Sequence, residues 1–121
     1  MLEGTKFGVF MRKIRSEHGD SLRTMAAKLG VTPAFISSLE IGRKQIPLDY
    51  VDKIAEIYSL SPAQKNELSD VVYASNEKIV LSLKDFSDEQ VELSLAFARK
   101  IKDNDKDFIE SLNKLLNENK D

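Results

Sequence analysis

Ser21-Leu22-Arg23-Thr24-Met25-Ala26-Ala27-Lys28-Leu29-Gly30-Val31-Thr32-Pro33-Ala34-Phe35-Ile36-Ser37-Ser38-Leu39-Glu40-Ile41-Gly42 is the stretch from which the rest of the chain can be read. Ser21 offers a hydroxyl to the orphan amides of a helix start, and Leu22, Met25, Ala26 and Leu29 then fall at i, i+3, i+4 and i+7. Gly30 provides a left-handed exit after about two turns. Thr32 followed by Pro33 is a second start, because the threonine caps while proline tolerates the first helical position. The helix that follows, placed at 32–41, is expected to bury Phe35, Ile36 and Leu39 and to stop at Gly42. Two short helices therefore meet at a tight turn, and the second opens with small side chains.

Working outward, Phe7, Phe10, Met11 and Ile14 form one stripe of a first helix ending near His18 and Gly19. A fourth helix is expected to open at Pro47 and carry Val51, Ile54, Ala55 and Tyr58. Ser61, Pro62 and Gln64 make a capping-box start for a fifth, with Leu68, Val71 and Val72. After Ser75 the pattern changes. Ile79-Val80-Leu81-Ser82-Leu83 reads either as a short strand or as an extended connection. Ser87 and Gln90 form another capping box, followed by an apolar arc of Val91, Leu93, Leu95, Phe97, Ala98 and Ile101 that is wider than one buried stripe requires. A last helix, starting at Asn104 or Asp105, aligns Phe108, Ile109, Leu112, Leu115 and Leu116. The fold class expected is all-α: five helices over residues 1–75, then a helical hairpin over 76–121.

The 22–44 segment resembles the helix-turn-helix of the phage-repressor-like (Cro/C1, or Xre) family, and the likeness extends over residues 6–74. It rests on Ala26, Gly30-Val31, Ile36-Ser37, Glu40 and Gly42 coinciding with two capped helices and a turn. The resemblance implies a sequence-specific DNA-binding transcriptional regulator, most simply a repressor. In that family the positions of Pro33, Ala34, Ser37 and Ser38 face the major groove. Their side chains are short, and none makes the bidentate base contact that discriminates by about 1–3 kcal/mol. Arg43, Lys44 and Gln45 beyond the second helix, with Ser21 and Arg23 at the start of the first, are expected at the phosphates. Many members have a phosphate-binding glutamine where this chain has Leu22, which cannot make that contact. Glu40 matches a family glutamate that pairs with an arginine of helix one, here Arg15.

Charge is distributed unevenly. The 121 residues hold 18 Lys and Arg against 20 Asp and Glu, a formal net charge of −2 that taken whole argues against nucleic acid. Residues 1–48 carry eight basic and four acidic side chains, whereas residues 49–121 carry ten and sixteen. The positive excess thus lies on the segment bearing the two short helices. A single helix-turn-helix reaches useful affinity when two copies address two half-sites, so a self-association surface is needed. Val91, Leu95, Phe97, Ala98, Ile101, Phe108, Leu112 and Leu115 are the expected dimerisation residues, with Ile79–Leu83 available to pair as strands across the two-fold axis. An alternative reading is the antitoxin of a toxin-antitoxin pair, binding a second, basic protein through the acidic C-terminal region.

Other classes are disfavoured by residue content. No Cys and one His exclude disulfide frameworks, thiolate zinc sites and multi-histidine clusters, so no metal or cofactor is expected. His18 lies where it can complement a helix C-terminus, and it has no catalytic company. There is no HExxH, no phosphate-cradling glycine loop and no Ser/Lys self-cleavage pair, so no enzyme is expected. No apolar run approaches the roughly 18–20 residues of a membrane span, and no apolar stretch ending in small cleavage-site residues opens the chain. A soluble, cytoplasmic protein is expected.

Overall fold

The computed structural model describes residues 4–118. It contains, among these, seven helices: α1 (Lys6–His18), α2 (Leu22–Leu29), α3 (Pro33–Glu40), α4 (Tyr50–Ile57), α5 (Pro62–Asn76), α6 (Asp88–Lys102) and α7 (Lys106–Glu118). The chain is all-helical, and it divides into two compact units between Val80 and Leu81.

The helix boundaries follow from caps that accept orphan amides. Thr5, Ser21, Thr32, Ser61 and Ser87 each accept from the amide three residues on, and Ser61 and Ser87 complete capping boxes with Gln64 and Gln90. Gly30, at φ 74°, ends α2 and lets the amides of Gly30 and Val31 turn back to Ala27 and Ala26. In the N-terminal unit α1 packs on α3 and α5, α2 on α3 and α4, and α4 on α5. Phe7, Met11, Ile14, Met25, Ile36, Leu39, Ile54, Leu68 and Val72 are fully buried at the centre. Each such side chain contributes about 1.5–3 kcal/mol by leaving water.

Gly8 fixes how closely α1 can approach α3. A Cβ there would stand 2.6 Å from the Glu40 carbonyl oxygen, a backbone atom held by the Thr5 amide and hydroxyl, both at 3.0 Å. Gly8→Ala is therefore expected to lower stability by about 1–3 kcal/mol through overpacking, as a shift in the denaturation midpoint would show. An unchanged midpoint would mean the two helices can separate at no cost.

Three expectations need correction. The fourth helix does not open at Pro47: the Tyr50 amide donates to the Pro47 carbonyl in a single turn, and α4 begins at Tyr50. Phe35 is half-buried, packed against the core with its ring edge-on to Tyr50 at 6.3 Å between centroids. The strand reading of 79–83 is not realised, since these residues are exposed and join no ladder. A lone strand has no partner for its amides and carbonyls; here the Val80 carbonyl accepts from the Tyr73 hydroxyl at 3.0 Å, and the Leu83 carbonyl from the Phe86 amide at 3.1 Å in a turn. The Tyr73 bond keeps the segment through Val80 with the N-terminal unit.

In the C-terminal unit α6 and α7 pack on each other, with Phe97 and Phe108 ring centroids 6.2 Å apart. Asp105 caps the second helix by accepting from the Phe108 amide. Neither helix has a buried residue among those described.

Candidate nucleic-acid interface

α3 is oriented from below by an ion pair. Glu40, at its last turn, is 5% exposed, and its carboxylate takes a two-pronged contact from the Arg15 guanidinium, 2.5 Å to Oε2 and 3.2 Å to Oε1. Arg12 stands 4.0 Å away on the same carboxylate, and Arg15 also reaches the Met25 sulfur at 3.4 Å. The Glu40 main-chain carbonyl meanwhile accepts from Thr5, so both ends of this residue tie α3 to α1.

The outer side of α3 is left open. Pro33 and Ala34 are exposed on the first turn, while Ser37 and Ser38 are half-buried one turn on. Ser38 donates its hydroxyl proton to the Phe35 carbonyl at 2.6 Å, which leaves its oxygen available chiefly as an acceptor. Ser37 has no such commitment in the hydrogen-bond network and keeps both roles. At the start of α2, Ser21 accepts from the Thr24 amide and lies 3.0 Å from the Thr24 hydroxyl, with Arg23 exposed beside it. Leu22 packs against the core.

The loop between α3 and α4 holds the remaining cations. Arg43 and Lys44 are exposed, and the Lys44 ammonium sits 5.5 Å over the Phe35 ring, which holds it beside α3. Gln45 is exposed but donates to the Asn76 carbonyl at 3.4 Å, so its amide is directed toward the end of α5. Ile46 is clasped by a single side chain: Asn76 Oδ1 accepts its amide at 2.8 Å and Asn76 Nδ2 donates to its carbonyl at 2.9 Å. The arrangement is thus two short helices at a glycine turn, an open face of small side chains on the second, and cations on the adjoining loop and on the first helix.

Residues 11–65 match the family model described as Helix-turn-helix. This segment is a helix-turn-helix domain of the Cro/C1, phage-repressor-like family. No curated protein and no solved structure matches the chain. The matched helix-turn-helix supports a DNA-binding transcriptional regulator. No helix among the described residues is long and apolar enough to cross a membrane.

Two features that support the helix-turn-helix are not legible in the sequence. One is the Asn76 clasp on Ile46, formed across 30 positions, for which no local pattern exists. The other is a cluster at the base of α2: Asp20 Oδ2 accepts from Lys28 and from the Tyr58 hydroxyl, both at 2.7 Å, and His18 lies edge-on to Tyr58. The Lys28 hydrogen bond, with that from Tyr58, holds the Asp20 carboxyl below its usual range. Burial, reinforced by Asp20, pushes the Tyr58 hydroxyl well above its own, so it stays a donor. His18 Nδ1 is 3.0 Å from the Ile14 carbonyl, at the C-terminal turn of α1.

Proposed function

We propose that the chain is a sequence-specific, dimeric transcriptional repressor that places α3 in the major groove. The observation that carries this reading is the exposed first-turn face of α3 flanked by the Arg43–Lys44 loop on a segment with a positive excess. Pro33 and Ala34 offer apolar contact to thymine methyls. Ser37 donates or accepts at a base edge, and Ser38 accepts from an adenine or cytosine amino group. Direct readout from four short side chains is weak per half-site, so two half-sites are engaged together. Arg43, Lys44, Arg23 and the hydroxyl of Ser21 grip the phosphates on either side and fix the register. Arg15 and Glu40 hold α3 at its angle to α1 and make no contact with DNA. The hairpin of α6 and α7 supplies the assembly surface, and its acidic surplus limits nonspecific binding to the polyanion.

Replacing Arg43 and Lys44 together by alanine tests the proposed surface. Affinity for all duplexes should fall, and the slope of log affinity against log salt should flatten by about 2, one counterion for each lost phosphate contact. Changes at Ser37 and Ser38 should instead alter which duplex is preferred. Affinity unchanged at both low and high salt after the double substitution would place the DNA surface elsewhere. Fluorescence anisotropy on a set of labelled duplexes reads all three quantities.

A further inference from the structure

α6 presents two apolar arcs: the ring contact with α7 is made from one, and on the other Leu95 and Ala98 are exposed while Val91 is half-buried. At 100° per residue, Phe97 and Ile101 lie on the α7 side, where Phe97 meets Phe108. Asp88, Val91, Leu95, Ala98 and Lys102 lie together on a neighbouring stripe, spaced i, i+3, i+7, i+10 and i+14. Leu95 stands at its middle and is 50% exposed. The stripe has opposite charges at its ends, Asp88 at one and Lys102 at the other. Glu92 and Arg99 flank it in the same sense along one side. None of these four charges makes an ion pair among the described residues. A two-helix unit without a buried side chain also has no core of its own, so covering this stripe adds apolar burial that the hairpin lacks.

We propose that α6 pairs antiparallel with α6 of a second copy of this chain, about a two-fold axis at Leu95. This rests on the dimeric reading above and specifies its geometry. Reversal about Leu95 sets Asp88 against Lys102 of the second copy, seven residues on either side of the axis, and brings Glu92 against the second copy's Arg99. Each contact occurs twice, as an isologous interface requires. A parallel pairing would set acid on acid and base on base. The apolar stripe supplies the burial, and the charges fix the orientation. Phe97, Ile101 and Phe108 serve inside the hairpin rather than across the dimer.

Sedimentation of the full chain, with helicity checked by circular dichroism, tests the pairing. Asp88→Lys/Glu92→Lys makes the stripe positive throughout and should weaken self-association about tenfold or more. The fourfold exchange Asp88→Lys/Glu92→Lys/Arg99→Glu/Lys102→Glu should restore association, although its charges now oppose the helix dipole. If these charges served only α6 itself, that variant would be the weakest of all. It should also fail to form mixed dimers with the natural chain, because its positive first half would meet a positive second half. Self-association unchanged in the first variant, or free mixing by the fourfold variant, overturns the antiparallel pairing while leaving the dimer. A natural chain that sediments as a monomer overturns both.

Discussion

Glu40→Ala is expected to lower the stability of the N-terminal unit by about 3–5 kcal/mol, a large share of the roughly 5–15 kcal/mol available to a domain. The size follows from what the substitution leaves behind. The Arg15 side chain is 12% exposed and keeps its charge, so removing the carboxylate strands a guanidinium in a site with the Met25 sulfur as its remaining neighbour within reach. Arg12, 47% exposed at its side chain, can relax into water and adds little to the loss. Arg15→Met/Glu40→Leu removes both charges and should recover most of the stability, because a buried pair is costly chiefly when broken. Urea denaturation of the natural chain, the single variant and the double variant reads the comparison. A single-variant loss below about 1 kcal/mol would mean that water reaches the pair, and that the contact between α1 and α3 is set by Thr5 and Gly8 alone.

What was legible in the sequence was what the chain specifies locally. Ser21, Thr32, Ser61 and Ser87 cap the helices they precede, and Gly30 turns the chain between α2 and α3, because a cap needs only the amides two or three residues away. The Arg15–Glu40 contact spans 25 positions and is legible only through the family resemblance, since periodicity alone says nothing of which arginine a glutamate meets. Pro47 misleads because proline suits a turn as well as a helix start, and here the Tyr50-to-Pro47 and Val51-to-Leu48 bonds form a turn ahead of α4. Phe35 misled because its position on the buried stripe does not reveal that Tyr50 and Lys44 share the space around its ring. At 79–83 the apolar run was visible but its conformation was not, since a strand is defined by the partner that pairs with it.

Asn76→Ala is the second large expected effect, and it joins stability to the proposed interface. The substitution leaves the Ile46 amide and carbonyl, in a residue 2% exposed, without the groups that satisfy both. Each buried unsatisfied group costs about 1–3 kcal/mol, so the total loss should lie near 2–5 kcal/mol. Asp at this position would still accept from the Ile46 amide but would set a carboxylate oxygen against the Ile46 carbonyl, and should recover little. The clasp holds the loop that carries Arg43 and Lys44, and it is made by the last residue of α5, next to Glu77 at φ 57° where the helix ends. Loosening it should therefore weaken DNA binding at temperatures where the variant remains folded, with the salt slope reduced as for loss of a phosphate contact. Gln45→Ala removes only the long 3.4 Å contact of an exposed side chain and should change stability by less than about 0.5 kcal/mol. Hydrogen exchange separates local from global effects: in Asn76→Ala the Ile46 amide should lose protection by more than the core amides of α5. Protection at Ile46 falling only in step with the core would show that the asparagine supports the fold as a whole, and that the basic loop keeps its place without the clasp.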